Sequence, residues 1–200
     1  IQPSAEPNAQ FGHAVASLSA PSAVGPPQWA TSAPFGDLGS SNDHGAVRLY
    51  SDLIQPGEIF CSGDGSAAPC PCGNTGPLEH GCANGDGTGS HLRATGSASV
   101  QSSSLSFTAT TLPPGQPALL YTGINRIQAG QGVGFGDGLR CTGGAVSRLG
   151  VRFADPGGEA VWSAPFPSTP WSAGTTRHFQ AWYRNTPAPA CGSGFNLSNG

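Results

Sequence analysis

The sequence predicts an all-β protein built around a β-sandwich of Ig-like or jelly-roll type. Three observations carry that reading. The 200 residues include 31 Gly and 19 Pro, which oppose helix because Gly raises the entropy cost of ordering the backbone and Pro removes a donor. Several segments alternate apolar and polar side chains with the period of two that marks a half-buried strand. Turn signals recur between them at short intervals: Pro113-Pro114-Gly115, Gly136-Asp137-Gly138, Asp155-Pro156-Gly157-Gly158 and Ser172-Ala173-Gly174, a spacing typical of sandwiches. Almost no helix is expected, and with 36% hydrophobic residues the core should be thin.

In chain order, residues 1–20 alternate around Phe11, Val15 and Leu18 and read as one strand and a loop, which Pro21 and Pro26-Pro27 interrupt. Gly45-Ala46-Val47-Arg48-Leu49-Tyr50 reads as a half-buried strand with Val47 and Leu49 on one face. Residues 56–91 are rich in Gly and Cys and poor in apolar side chains, so their order should come from covalent bridges. Strands are expected at 92–100, 105–111, 118–121, 146–153, 160–164 and 177–184. In the fourth, Ser147, Leu149 and Val151 should share a face. In the last, Phe179, Ala181 and Tyr183 should face away from Gln180, Trp182 and Arg184. The chain thus divides into an N-terminal β-region over 1–55, a Cys/Gly-rich segment over 56–91 and a sandwich over 92–200.

Charge narrows the partners. The eight basic residues are all Arg, they are scattered, and the net charge is −3, so no basic patch offers itself to phosphates and nucleic acid is not an expected partner. No apolar run approaches the ~20 residues of a membrane-spanning helix. The start at Ile1 without an initiator Met is read as a processed form, and a secreted, extracellular or cell-surface location is expected.

Six cysteines, at 61, 70, 72, 82, 141 and 191, suit complete pairing in an oxidising compartment. Sequence proximity favours two bridges among Cys61, Cys70, Cys72 and Cys82, and a third from Cys141 to Cys191. The competing reading is a zinc site of Cys70, Cys72, His80 and Cys82. Disulfides are preferred, because C-x-C with H-x-C lacks the paired C-x-x-C knuckle and zinc would leave Cys61 an odd thiol.

Candidate binding residues are few. Asn84, Asp86 and Thr88 lie at alternate positions, a spacing that turns oxygen ligands toward one calcium ion, whereas the plainer reading is a Gly-rich turn capped by Asn and Asp. Asp64 and Asp137, each before a Gly, carry the same pair of readings. Trp171, beside Pro170, is the aromatic best placed to stack on a glycan from an exposed position, while Trp162, Trp182 and Tyr183 are expected in the core. Asn196-Leu197-Ser198 forms a glycosylation sequon, and the hydroxyl-rich tract 97–111 could carry O-linked sugars. The five His, at 13, 44, 80, 91 and 178, sit in no nucleophile-elbow context, and no carboxylate pair stands out for glycoside hydrolysis. The chain is therefore not expected to be an enzyme.

Two sets of motifs carry resemblances. Phe11-Gly12-His13-Ala14-Val15-Ala16, Ser32-Ala33-Pro34 and the 45–50 strand resemble one FG-GAP repeat, the blade of integrin-type β-propellers, which implies a blade-like or extended β-region. That family's Asp-rich calcium loop has no counterpart in 19–28, which lack any carboxylate. From about residue 60 onward, Cys61-Ser62-Gly63-Asp64-Gly65, Pro69-Cys70-Pro71-Cys72-Gly73-Asn74, Gly81-Cys82-Ala83-Asn84, Phe135-Gly136-Asp137-Gly138-Leu139-Arg140-Cys141, the string 175–184 and Gly194-Phe195-Asn196-Leu197-Ser198 resemble a cysteine-rich β-module near the C-termini of large secreted bacterial surface proteins. Together they imply an extracellular location and a β-fold, and since an unfinished blade at one end and an unfinished sandwich at the other would leave open strand edges, the expected role is structural: a subunit of a cell-surface or filamentous assembly whose copies join head to tail through those edges. The alternative is a carbohydrate- or calcium-dependent adhesion module of a larger surface protein. Its partners would be glycans.

Overall fold

The structure is a computed structural model that describes residues 56–100, 104–166 and 171–200 in full, together with the backbone of three earlier strands. The chain divides into two compact units, residues 1–54 and 55–200. In the first, β1 (Val15–Leu18), β2 (Gln28–Ala33) and β3 (Ala46–Ser51) form an antiparallel meander in the order β1-β2-β3. Its registers pair Val15 with Thr31 and Trp29 with Tyr50. Regular structure thus resumes directly after Pro26-Pro27. The remaining residues of the FG-GAP-like motifs, Phe11 to Ala14, Pro34 and Gly45, and also His13 and His44, lie outside the described residues.

The second unit contains β4 (His91–Thr95), β5 (Ser106–Thr110), β6 (Pro117–Gly123), β7 (Asn125–Arg126), β8 (Val133–Phe135), β9 (Gly138–Arg140), β10 (Thr142–Gly143), β11 (Ser147–Phe153), β12 (Ala160–Ser163), β13 (His178–Arg184) and β14 (Phe195–Leu197), with one 3-10 turn at Ile127–Gly130. Two antiparallel sheets, β12-β5-β4 and β11-β6-β13-β14, supply the layers, and the pairs β10-β7 and β8-β9 are added at their margin. Side chains from both sheets meet in one core: Leu92, Phe107, Ala109 and Ala160 from the first, and Ala118, Leu120, Leu149, Ala181 and Tyr183 from the second. Trp162, 1% exposed, fills its centre. The Trp162 indole donates to the Gly150 carbonyl at 2.9 Å, so the largest core residue also ties β12 to β11.

Alternation holds along β13 but fails along β11. Arg148 pairs with Tyr121 and Gly150 with Leu120, so Leu149 is an extra, bulged residue. Past the bulge the faces exchange, and Leu149 is 3% exposed while Val151 is 51% exposed, contrary to their expected shared face. Gly150 absorbs the distortion at φ +136°, a conformation that a side chain would strain. β4 ends at Thr95 rather than near residue 100, because Gly96 turns the chain so tightly that a Cβ there would lie 2.0 Å from the Ser104 carbonyl.

The bridges are Cys61–Cys141, Cys70–Cys82 and Cys72–Cys191. Complete pairing holds, but the pairing by proximity does not: only one bridge stays within the cluster, and Cys141 and Cys191 each return to it. Cys141 lies fully buried between β9 and β10, and the chain brings Cys61 to it across 80 residues. With few apolar side chains to hold it, the 56–91 segment is instead stapled to the sandwich at two distant points, and it folds as part of the same unit. The zinc reading falls with this pairing. All three of its thiols are oxidised, and the His80 Nδ1 sits 3.0 Å from the Gly89 carbonyl.

Candidate binding cavity

The described residues enclose a half-open cavity of about 650 Å³ at one end of the sandwich, within the size range of small-molecule sites. Its apolar floor comes from the core faces of the strands. Leu92 of β4 and Phe107 of β5 are buried, Phe179 of β13 is half-buried, and Leu105 and Ala94 flank them. Phe107, Phe179 and Trp171 of the lining pack on one another and on Phe166 behind them: Phe107 lies 4.4 Å from Phe179 and 5.8 Å from Phe166, and Trp171 lies 5.8 Å from Phe166 and 5.6 Å from Phe179. The opposite wall is the 56–60 segment. Phe60 and Gly200 exchange two backbone hydrogen bonds, 3.1 and 2.9 Å long, and hold it in place.

The polar groups are mainly cationic. Arg93, Arg126 and Arg177 line the cavity, with Glu58 as the one acidic side chain among the described lining residues. Arg126 pairs with Glu58 and lies 4.4 Å above the Phe60 ring. Arg93 donates from Nε to the His91 Nε2 at 3.3 Å. Burial, followed by the Arg93 charge and His80, lowers the His91 pKa to about 4; burial and then Arg126 lower that of His178, with Glu58 opposing. Both rings are therefore neutral at pH 7 and add no charge. Two N–H donors in the wall, the Trp171 Nε1 and the Arg177 Nε, are buried without an acceptor, an arrangement that costs about 1–3 kcal/mol per group.

Trp171 is thus the aromatic of this site, but half-buried and packed on Phe166 and Phe179 rather than standing free on the surface. Sequence reasoning missed Arg93, Arg177, Phe107 and Phe179 as partners. Arg177-His178-Phe179 places a cation, an imidazole and a ring in succession, which was the available signal.

The other candidates lie elsewhere. Asn84, Asp86 and Thr88 do come together, around the Asn84 Oδ1, which accepts from the Asp86 N–H at 3.0 Å, the Thr88 N–H at 3.3 Å and the Thr88 hydroxyl at 3.4 Å. The Asn84 amide donates at 2.8 Å to the Thr111 carbonyl. This is the geometry of a capped loop, with donors aimed at the oxygen that a cation would need. Asn196 of the sequon is fully buried, and its Nδ2 donates to the carbonyls of Cys82 and Ala83 at 3.1 and 3.2 Å. A glycan needs that nitrogen in solvent, whereas the fold buries it and directs its two hydrogens to carbonyls, so the sequon does not read as a glycan site of the folded protein. Of the hydroxyl-rich tract, 101–103 lie outside the described residues.

Asp64 and Asp137 act as loop organisers too. Asp64 accepts from the Ser66 backbone at 2.9 Å and from the Glu79 backbone at 3.2 Å. Asp137 is fully buried. Its carboxylate accepts from the Ser193 backbone at 3.0 Å, the Ser193 hydroxyl at 2.5 Å and the Asn185 amide at 3.0 Å. Burial works to raise its pKa, but the hydrogen bonds from Ser193, the Cys191 backbone and Asn185 bring it below the usual carboxylate range.

No protein-family model, curated protein or solved structure matches the chain. Its three disulfides place it in an oxidising environment of the extracellular kind, and no helix among the described residues is long and apolar enough to cross a membrane.

Proposed function

We propose that this chain is an extracellular surface module that acts by binding, not by catalysis, and that the cavity walled by Trp171 and Arg177 is its binding site. The observation that carries the reading is the pair of buried, unpartnered donors in that wall. Native interiors leave few such groups without a role, and a ligand bearing acceptor atoms would complete them. The resemblance of residues 60–200 to a secreted bacterial surface module supports the same setting. Saturable binding of the neutral solvatochromic dye Nile red tests the reading: one site is expected in the wild type and none in Ala94→Trp, which fills the cavity with a ring. Absence of saturable binding, or equal binding to both proteins, refutes it.

The structural reading, in which copies join through strand edges to build a filament, draws on a different observation. Among the described residues, β1 and β3 each pair only with β2, and outer strands present unpaired backbone groups to further chains. The sandwich edges are less inviting. On β4, the Asn199 side chain accepts from the Leu92 N–H at 2.7 Å and donates to the Leu92 carbonyl at 3.0 Å, as a neighbouring strand would. Fibres seen by negative-stain electron microscopy that vanish on deletion of residues 1–18 would support assembly through the first unit; a monodisperse monomer would refute it.

A further inference from the structure

We infer that the cavity selects an amphipathic organic anion: a monocarboxylate on an aliphatic or aromatic body, seated with the body on the aromatic floor and the carboxylate at the arginine-bearing mouth. The inference rests on the binding reading above and specifies its ligand.

Charge is the first argument. The unit that bears the cavity, residues 55–200, is balanced, with seven acidic residues against seven arginines. The cavity departs from that balance, since three arginines and one glutamate line it. Among the described residues the one ion pair is Arg126 with Glu58, so Arg93 and Arg177 bring charges that no ion pair there compensates. The neighbouring His91 and His178 stay neutral and do not alter this count. Two arginines without an ion-pair partner among the residues of one cavity form a local attractor for an anion, and the planar guanidinium fork matches a carboxylate in geometry as well as charge.

The distribution of polarity is the second argument. Leu92 and Phe107 at the floor are 5% and 4% exposed, whereas Arg93, also a lining residue, is exposed. One end of the cavity is thus dry and apolar and the other cationic and wet, which fits a molecule with the same two ends. A neutral saccharide, polar all round, would leave its hydroxyls unpaired against Leu92, Phe107 and Phe179. The two unpartnered donors reinforce the assignment. The Arg177 Nε and the Trp171 Nε1 lack acceptors, and a carboxylate is an acceptor alone, with room for several donors. Both nitrogens lie beneath the accessible surface, so engaging them requires the side chains to turn. Ligand binding should therefore change the Trp171 emission.

Displacement of bound Nile red tests this with an isosteric pair, 6-phenylhexanoate and 6-phenylhexanamide, on the oxidised full chain at low salt. The acid is expected to displace the dye at least tenfold more effectively than the amide. Arg93→Gln and Arg177→Gln should each cut that preference severalfold while dye binding itself persists, which also shows that the variants remain folded. Added salt should weaken displacement by the acid and leave the amide unaffected. Equal displacement by acid and amide, or a preference that survives in both arginine variants, overturns the inference while dye binding leaves the cavity reading standing. Failure of the wild type to bind the dye at all sinks both.

Discussion

Gln180 offers the sharpest test of how the four-stranded sheet is tied to the disulfide-bearing end. Its carboxamide is fully buried and saturated. The Oε1 accepts from the Tyr121 hydroxyl at 2.5 Å, the Cys141 N–H at 2.9 Å and the Thr142 N–H at 3.4 Å; the Nε2 donates to the carbonyls of Leu139 and Ser198, both at 2.8 Å. Gln180→Ala would strand the Cys141 N–H, the Tyr121 hydroxyl and two carbonyls, all in residues less than 8% exposed. At about 1 kcal/mol or more per stranded group, the loss is at least ~4 kcal/mol, a large part of the ~5–15 kcal/mol that stabilises a typical domain.

Urea unfolding with the disulfides intact, followed through the emission of buried Trp162, measures this directly. With a slope of about 2 kcal/mol/M, the midpoint should fall by roughly 2 M. Tyr121→Phe supplies the control. Burial pushes the Tyr121 pKa well above the ordinary tyrosine range, so its hydroxyl is a donor at every pH near neutrality. Removing it leaves the Gln180 oxygen two donors and should cost only ~1 kcal/mol. In the Gln180→Ala background the same change deletes a group already stranded, and it should be neutral or stabilising. A midpoint shift under about 0.5 M for Gln180→Ala, or an equal cost of Tyr121→Phe in both backgrounds, would refute the reasoning.

Three further outcomes follow from the same geometry. Replacing Cys72 and Cys191 by Ser should destabilise more than replacing Cys70 and Cys82, because the first bridge spans 119 residues and the second 12; even with Cys61–Cys141 shortening the longer loop to roughly half, chain entropy predicts about 4 against about 3 kcal/mol, and urea midpoints showing the reverse order would contradict it. His91, held neutral with a pKa of about 4 against an ordinary 6.5, binds its proton more readily once unfolded, so its contribution is whole above pH 6.5 and drains away as pH falls toward 4. At pH 5 the wild type should have lost about 1–2 kcal/mol relative to pH 7.5, and His91→Gln should flatten that part of the profile, a result that unchanged slopes would exclude. Protein secreted from a glycosylating host should carry no glycan on Asn196, and intact mass spectrometry of the folded fraction checks this; Asn196→Ala should cost about 2 kcal/mol, since it strands the Cys82 carbonyl and the Leu197 N–H, while the Ala83 carbonyl keeps the Asn74 amide as a donor.

What the sequence made legible depends on how far the cause of each element is local. The strands β5, β6, β11, β12 and β13 fall within about two residues of their expected spans, since period-two alternation and turn chemistry act over a handful of residues. β8, β9 and β10 have only two or three residues each around Gly136, Gly138 and Gly143, too short for any period to register. Gln180 shows a different failure. It alternates with Phe179 and Ala181 and so reads as the outward face of β13, yet Leu139, Cys141 and Ser198 cover that face and bury it completely. Alternation names two faces; it does not say that one of them is wet.

The candidate cavity was least legible for the same reason. Its floor is three core residues that any sandwich would need, and its distinguishing features arise only when the 56–60 segment, β4 and the 171–179 stretch converge. That convergence depends on the disulfide end of the molecule. Phe60 adjoins Cys61, which is bound to Cys141, and Cys141 in turn donates to Gln180, the next residue after Phe179 of the cavity floor. At this end apolar burial is slight, with Leu139 packed among Cys61, Cys70, Cys82 and Cys141, and bridges and buried amides such as Gln180, Asn196 and Asn199 take its place. A wall held by oxidised sulfur rather than by an apolar core keeps its shape only where those bonds persist, so the same three disulfides that point to an oxidising environment also shape the place where the chain would meet a ligand.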